Sequence, residues 1–210
     1  MDLCLSEMLS RHVAGQSSDV LWSPMDLMSI QDNVFRKPRP LRVLTVGTIG
    51  LRKGSHYVLQ AAKETKGKVE LRMVGSIDVG PEVIRQLQQC VSVLGPIPRT
   101  EMLMQYHWAD VFLLPSLCEG SATASYEALA YGLPIITTPN AGSVVRDGVD
   151  GFIVPVGDPE AIVQRLDMLA SQPMLRLQMS SNARGRAKEF TLATYSSRLM
   201  QALSNGVGHV

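Results

Sequence analysis

Between Leu41 and Val154 the chain alternates short apolar runs with longer stretches of helical length, and this alternation restricts the possible folds more than any other feature. Each run has four to six residues, which suits a buried strand better than a helix. Strands that are apolar along their whole length are covered on both faces, as in parallel sheets flanked by helices. The predicted strands are Leu41–Val46, Val69–Val74, Val91–Leu94, Val111–Leu114, Pro134–Thr137 and Gly151–Val154.

The stretches between these strands predict helices, and right-handed crossovers then give an α/β fold with a doubly wound, mostly parallel, Rossmann-like sheet. After the last strand, Asp158 supplies a helix N-cap and Pro159 the first helical position. Two apolar stripes at helical spacing follow, Ile162/Leu166/Leu169 and Leu192/Tyr195/Leu199/Leu203. The helices predicted between strands are Ser55–Thr65, Pro81–Gln89, Glu101–Trp108 and Ser121–Tyr131.

The length of 210 residues suits one domain and an arm. We expect residues 1–40 to be an N-terminal arm or linker remnant, 41–190 the Rossmann-like domain, and 191–210 a C-terminal helix and tail. The arm ends in the proline-rich segment Phe35-Arg-Lys-Pro-Arg-Pro40, which is typical of an interdomain linker. We interpret its basic cluster, Arg36-Lys37-Pro38-Arg39, as solvated.

Charge and cysteine usage exclude several classes of function. A net charge of +1 gives no bulk electrostatic reason to expect nucleic acid as a partner. The three cysteines and four histidines show no metal-ligand spacing, so we expect no metal site and no disulfide framework. With no apolar run of about 18 residues and no signal peptide, we expect a cytoplasmic protein, although peripheral membrane contact stays open.

Ligands of such sheets bind beyond the carboxyl ends of the strands, so the loops there carry the functional predictions. The first loop runs from Gly47 to Ser55 and fits neither a P-loop nor a dinucleotide fingerprint. Its glycines permit close backbone approach, and Arg52 and Lys53 place positive charge beside a helix start, which suits a diphosphate. The alternative interpretation, a solvated basic turn, has equal weight on this loop alone.

The loop after the fourth strand begins at Pro115 and carries Glu119 and Gly120 before a helix that starts near Ser121. The free N–H groups of that helix favour a phosphate oxygen. Glu127 follows eight residues after Glu119, about 12 Å along a helix at roughly 1.5 Å per residue. The two acids therefore suit opposite ends of one extended ligand, a sugar and a ribose. Capping at Glu119 and an ordinary salt bridge at Glu127 are the alternatives.

These residues resemble the signature of retaining family 4 glycosyltransferases. Glu119 and Glu127 lie in a segment of the form Pro-Ser-x-x-Glu-Gly-x6-Glu-Ala-x-Ala-x-Gly-x-Pro. The resemblance covers about residues 41 to 200. Other matching segments, in the same order, are Val46-Gly-x5-Lys53-Gly54, Val93-Leu-Gly95 and Ala141-Gly-Ser-x3-Asp147-Gly-x-Asp-Gly-Phe-Ile-Val-Pro155.

The resemblance implies one half of a GT-B fold, the C-terminal half that binds a nucleoside-diphosphate sugar. It implies transfer of the sugar to an acceptor hydroxyl with retention, without metal or other cofactor. Lys53, helped by Arg52, would bind the diphosphate, Glu119 the transferred sugar and Glu127 the ribose, with Lys53 and Glu119 as the catalytic pair. The other residues implied to bind the donor are Gly47, Thr48, Gly95, Ile97, Gly120, Ser121, Ala122 and Thr123.

Two departures from the family pattern qualify this expectation. Many members have arginine after the first-loop glycine, where this chain has Thr48, so that Arg52 would replace a phosphate contact. The sugar or lipid-linked acceptor would be bound by an N-terminal domain that residues 1–40 are too short to build. An inactive nucleotide-sugar-binding module is therefore the main alternative. A nucleotide-sugar epimerase and a purely structural domain are weaker ones.

Overall fold

The computed structural model describes residues 39–65 and 67–206. Its centre is a six-stranded parallel sheet in the order β3-β2-β1-β4-β5-β6. This confirms the predicted doubly wound, Rossmann-like α/β fold. The strands are β1 (Leu41–Val46), β2 (Val69–Val74), β3 (Val91–Gly95), β4 (Val111–Leu114), β5 (Ile135–Thr137) and β6 (Gly151–Ile153).

Helices follow the strands at nearly the predicted positions. Asp158 caps α5 by accepting a hydrogen bond from the backbone N–H of Ala161 at 2.9 Å, as predicted. Pro139–Ala141 and Lys188–Phe190 form short 3₁₀ turns. The helices are α1 (Ser55–Glu64), α2 (Pro81–Gln88), α3 (Arg99–Trp108), α4 (Thr123–Ala130), α5 (Pro159–Ser171), α6 (Pro173–Ala187) and α7 (Leu192–Gly206).

Apolar side chains cover both faces of the sheet, because neighbouring residues of a strand point to opposite faces. Val43 and Leu113 face one layer, where they pack with Leu166 of α5. Leu44 and Leu114 face the other layer, where they join Leu129 near the end of α4. All six side chains are fully buried. Two separate cores therefore explain why the central strand β4 is apolar along its whole length.

One prediction about the ends of the chain needs correction. The side chain of Arg39 is not free in solvent, since it donates hydrogen bonds to both carboxylate oxygens of Asp110 at 2.7 and 2.8 Å. The apolar stripe predicted after residue 190 lies on the helix α7, where Tyr195 and Leu199 are 51% and 45% exposed. The boundaries at residues 40 and 190 stay predictions. Residues 1–38 and the side chains of Leu192 and Leu203 lie outside the described part.

The described residues also bear on membrane insertion. None of their helices combines the length and the apolar character that crossing a bilayer requires.

Candidate functional site

The first and fourth loops meet at the carboxyl edge of the sheet, where the strand order reverses between β1 and β4. The backbone N–H of Leu117 donates a hydrogen bond to the carbonyl of Arg52 at 2.8 Å. Gly54 permits this approach, because a Cβ at that position would lie 2.1 Å from the carbonyl oxygen of Pro115. Its φ of 72° is left-handed, a second reason for glycine. Ligand sites of open α/β sheets form at this reversal point.

Lys53 and Arg52 converge on one carboxylate. Lys53 Nζ lies 3.0 Å from Glu119 Oε1, and an Arg52 guanidinium nitrogen lies 3.1 Å from the same oxygen. The side chains of Lys53 and Glu119 are 13% and 9% exposed, whereas that of Arg52 is 59% exposed. The structure therefore brings together three residues that the sequence predicts at one site. It pairs them with each other through an ionic contact of two cations with one anion.

The turn after β5 holds the Glu119 loop in place. The backbone N–H of Glu119 donates to the carbonyl of Asn140 at 2.8 Å. A Cβ on Gly142 would lie 2.4 Å from the carbonyl oxygen of Gly120, so the two segments touch through their backbones. Three loops, after β1, β4 and β5, thus form one continuous surface around Glu119.

Helix α4 begins at Thr123, two residues later than predicted, because the contacts of Glu119 and Gly120 with the β5 turn hold the preceding backbone in a non-helical path. Ala122 is buried at the N-cap position, and no side chain caps the helix. Ser121 and Gly120 are exposed just before it. The predicted separation of about 12 Å between the two acids assumes a helical rise over all eight residues, and this assumption is wrong. Only the part from Thr123 to Glu127 is helical, and it contributes about 6 Å.

Glu127 belongs to a second group of contacts, on α4 and α3. The hydroxyl of Tyr106 donates to Glu127 Oε2 at 2.6 Å, and an Arg99 guanidinium nitrogen lies 3.7 Å from Oε1. Burial first, and then the charge of Glu127, raise the pKa of Tyr106 well above its ordinary value. The phenol is therefore protonated and is the hydrogen donor, while the carboxylate accepts.

The remaining predicted residues line the β1 and β3 ends of the same edge. The backbone N–H of Gly47 donates to the carbonyl of Val74 at 2.9 Å, and Thr48 Oγ1 lies 3.0 Å from Ser76 Oγ. The carbonyl of Gly95 accepts from the N–H of Gly75 at 2.9 Å, and Ile97 is partly buried against the α3 and α4 layer.

Three residues of the site are absent from the sequence-based prediction. Tyr106 falls in a predicted helix and has the spacing of a core residue, so its hydroxyl gives no signal. Arg99 directly follows the Gly95–Pro98 loop, and its basic side chain at a helix start is the one usable clue. Asn140 contributes only a carbonyl, which no side-chain pattern reports.

The family model and the related proteins agree on one family. The model for glycosyl transferases group 1 matches residues 40–172. The amylovoran biosynthesis glycosyltransferase AmsK of Erwinia amylovora is 31% identical over 140 residues, which are 59% of this chain and 34% of AmsK. An uncharacterized glycosyltransferase of Haemophilus influenzae is 30% identical over 168 residues, covering 75% of this chain and 47% of that protein. The chain thus spans a third to a half of the length of these relatives.

Solved structures support the fold. The structure of HepE from Anabaena in complex with UDP superposes with a TM-score of 0.72 at 20% identity, over 87% of this chain and 53% of HepE. This similarity concerns the fold alone, whereas the family model covers more than half of the sequence and includes Lys53, Glu119 and Glu127. The chain belongs to the group 1 glycosyl transferases.

Proposed function

We propose that this chain is the donor-binding half of a retaining glycosyltransferase, which moves a sugar from a nucleoside diphosphate to an acceptor hydroxyl. One observation carries the proposal. Lys53 and Arg52 meet at Glu119, and this loop leads into the start of α4, which no side chain caps. Two cations and the positive end of a helix suit a diphosphate, and an acid between them suits the hydroxyls of the attached sugar.

In this proposal the diphosphate replaces Glu119 as the ionic partner of Lys53 and Arg52. Its oxygens accept hydrogen bonds from Lys53, Arg52 and the first N–H groups of α4, and Glu119 is then released to accept hydrogen bonds from sugar hydroxyls. The bond between the anomeric carbon and the phosphate oxygen breaks, and a bond to the acceptor oxygen forms on the same face. The acceptor proton passes to the departing phosphate. Lys53 stabilises the charge that develops on that leaving group.

The proposal includes three further points. Lys53, Arg52 and the start of α4 neutralise the diphosphate without a metal ion. The acceptor is bound by a part of the enzyme outside the described residues, which fits a chain spanning 34% of AmsK. The location is cytoplasmic, and the free thiols Cys90 and Cys118 are compatible with a reducing compartment.

The deciding experiment is a calorimetric panel of UDP, GDP and ADP with the corresponding nucleotide sugars. We expect micromolar to millimolar binding of one nucleotide and a clear preference over the other two. Transfer or donor hydrolysis is then measured after addition of an acceptor half from a full-length relative. Binding without turnover in every such mixture would favour the inactive binding module, and absence of binding to all three nucleotides would refute the donor site.

Lys53→Ala is expected to weaken nucleoside diphosphate binding about 10- to 150-fold, the scale of a hydrogen bond to a charged group. Lys68→Ala is the control, because Lys68 precedes β2 at the opposite sheet edge and pairs with Asp167. Calorimetry should show the loss for the first variant only. Equal affinity of both variants for the nucleotide would contradict the phosphate role of Lys53.

Glu127→Ala is expected to weaken binding of the full nucleotide while leaving pyrophosphate affinity close to that of the unchanged chain. The reason is that the carboxylate is proposed to bind the ribose, which pyrophosphate lacks. Glu82→Ala removes an exposed acid on α2 and serves as the control. A parallel loss for nucleotide and pyrophosphate in calorimetric titrations would reject the ribose role.

A further inference from the structure

We infer that Tyr106 is a positioning residue that holds the Glu127 carboxylate for a ribose diol, so that the site selects ribonucleotides over 2′-deoxyribonucleotides. This inference rests on the proposed function, since it concerns the same nucleotide site. Tyr106 itself does not touch the ligand and acts through Glu127. The structural observations that support it concern the ring, the hydroxyl and the second face of the carboxylate.

The ring of Tyr106 is held on several sides. Its side chain is 3% exposed. It stacks on Tyr131 with a centroid distance of 5.0 Å and an interplanar angle of 2°, and Phe112 lies 6.3 Å away. Offset aromatic pairs of this kind restrict ring motion. The position of the hydroxyl is therefore set by the packing of α3 against β4 and the end of α4.

The hydroxyl in turn restricts Glu127. A phenol and a carboxylate 2.6 Å apart form a short, charge-assisted hydrogen bond. This bond uses one lone pair of Oε2 and orients the plane of the carboxylate. Arg99 is the cation that faces Oε1, at 3.7 Å. Both oxygens keep acceptor capacity for two further donors.

A vicinal diol supplies two such donors side by side. A carboxylate held in one orientation can accept from both hydroxyls, whereas a freely rotating side chain loses more rotamer freedom when it binds. A nucleotide without the 2′-hydroxyl offers one donor and leaves an oriented charged acceptor without its partner. Discrimination between the two sugars therefore depends on Tyr106.

The alternative explanation of the hydrogen bond between Tyr106 and Glu127 is that Glu127 only satisfies a buried hydroxyl. Loss of the hydroxyl would then lower stability and weaken the binding of every nucleotide to the same degree. The two explanations differ in whether the effect depends on the 2′-hydroxyl, and this difference is the basis of the test.

The test compares a nucleoside diphosphate with its 2′-deoxy form on the whole chain, using UDP and 2′-deoxy-UDP if the panel selects uracil. We expect Tyr106→Phe to weaken binding of the ribonucleotide about tenfold and to leave binding of the deoxynucleotide nearly unchanged. The preference for the ribonucleotide then largely disappears. Tyr131→Phe also removes a phenol from the stacked pair and is the matched control, which should keep the preference.

The outcomes separate this inference from the function on which it rests. A Tyr106→Phe variant that binds the ribonucleotide normally, or loses both nucleotides equally, overturns the role of Tyr106 and leaves the donor site intact. An unchanged chain that binds neither nucleotide refutes the donor site and this inference together. If Tyr106→Phe fails to fold, the unchanged chain is compared on the two nucleotides, and equal affinity for both overturns the inference.

Discussion

Gly54→Ala should lower the free energy of unfolding by about 3 kcal/mol or more, because it adds a clash to a backbone penalty. The φ of 72° disfavours alanine by about 1–2 kcal/mol. The new Cβ would also lie 2.1 Å from the carbonyl oxygen of Pro115, so the first and fourth loops must separate. Urea unfolding measures the first effect. Calorimetry should show weaker nucleotide binding as well, since Lys53 and Glu119 stand on the two loops.

Gly148→Ala is the control for this variant. Gly148 has a φ of 73°, but a Cβ added there would have no neighbouring atom within 4 Å. The substitution should therefore show the backbone penalty alone, about 1–2 kcal/mol, and unaltered nucleotide affinity. Equal destabilisation by the two substitutions would mean that the contact between Gly54 and Pro115 does not constrain the fold.

The second large effect is expected for Arg146→Ala, at about 2–3 kcal/mol of unfolding free energy, because Asp150 is fully buried although the side chain of Arg146 is 44% exposed. Arg146 Nε donates to Asp150 Oδ1 at 2.7 Å, and its backbone N–H donates to Oδ2 at 3.1 Å. Asp150 is fully buried, so removal of the guanidinium leaves a buried carboxylate without its charged partner. The loop between β5 and β6 is the part that should loosen, as hydrogen exchange would show.

An exposed ion pair provides the comparison for that result. Lys68 and Asp167 are 3.1 Å apart with side chains 64% and 40% exposed, and their loss should change stability by no more than about 1 kcal/mol. A Lys68→Ala effect as large as that of Arg146→Ala in the same urea titrations would show that burial of Asp150 is not the cause.

The sheet could be predicted from the sequence because the central strands carry apolar residues on both faces, as Val43 and Leu44 illustrate. The site could be located because parallel strands bring their following loops to one edge, which placed Lys53 and Glu119 together. Both predictions follow from local patterns and topology, which a single sequence contains.

Other features depend on contacts between residues far apart in the chain. Helix α4 starts late because the backbone N–H of Glu119 donates a hydrogen bond to the carbonyl of Asn140. No property of Ser121 itself signals this contact. The anchoring of Arg39 depends on Asp110, which lies 71 residues away. The hydroxyl of Tyr106 finds its acceptor on another helix. Such partners are known only once the elements are assembled.

The frame around Glu119 is made by main-chain atoms, through the hydrogen bonds of Leu117 with Arg52 and of Glu119 with Asn140. The exposed side chains of Cys118 and Ser121 take no part in these main-chain hydrogen bonds. Their identity can therefore vary while the scaffold stays unchanged. Substitutions at these two positions are accordingly expected to alter the chemistry of this surface while they change the free energy of unfolding by no more than about 0.5 kcal/mol.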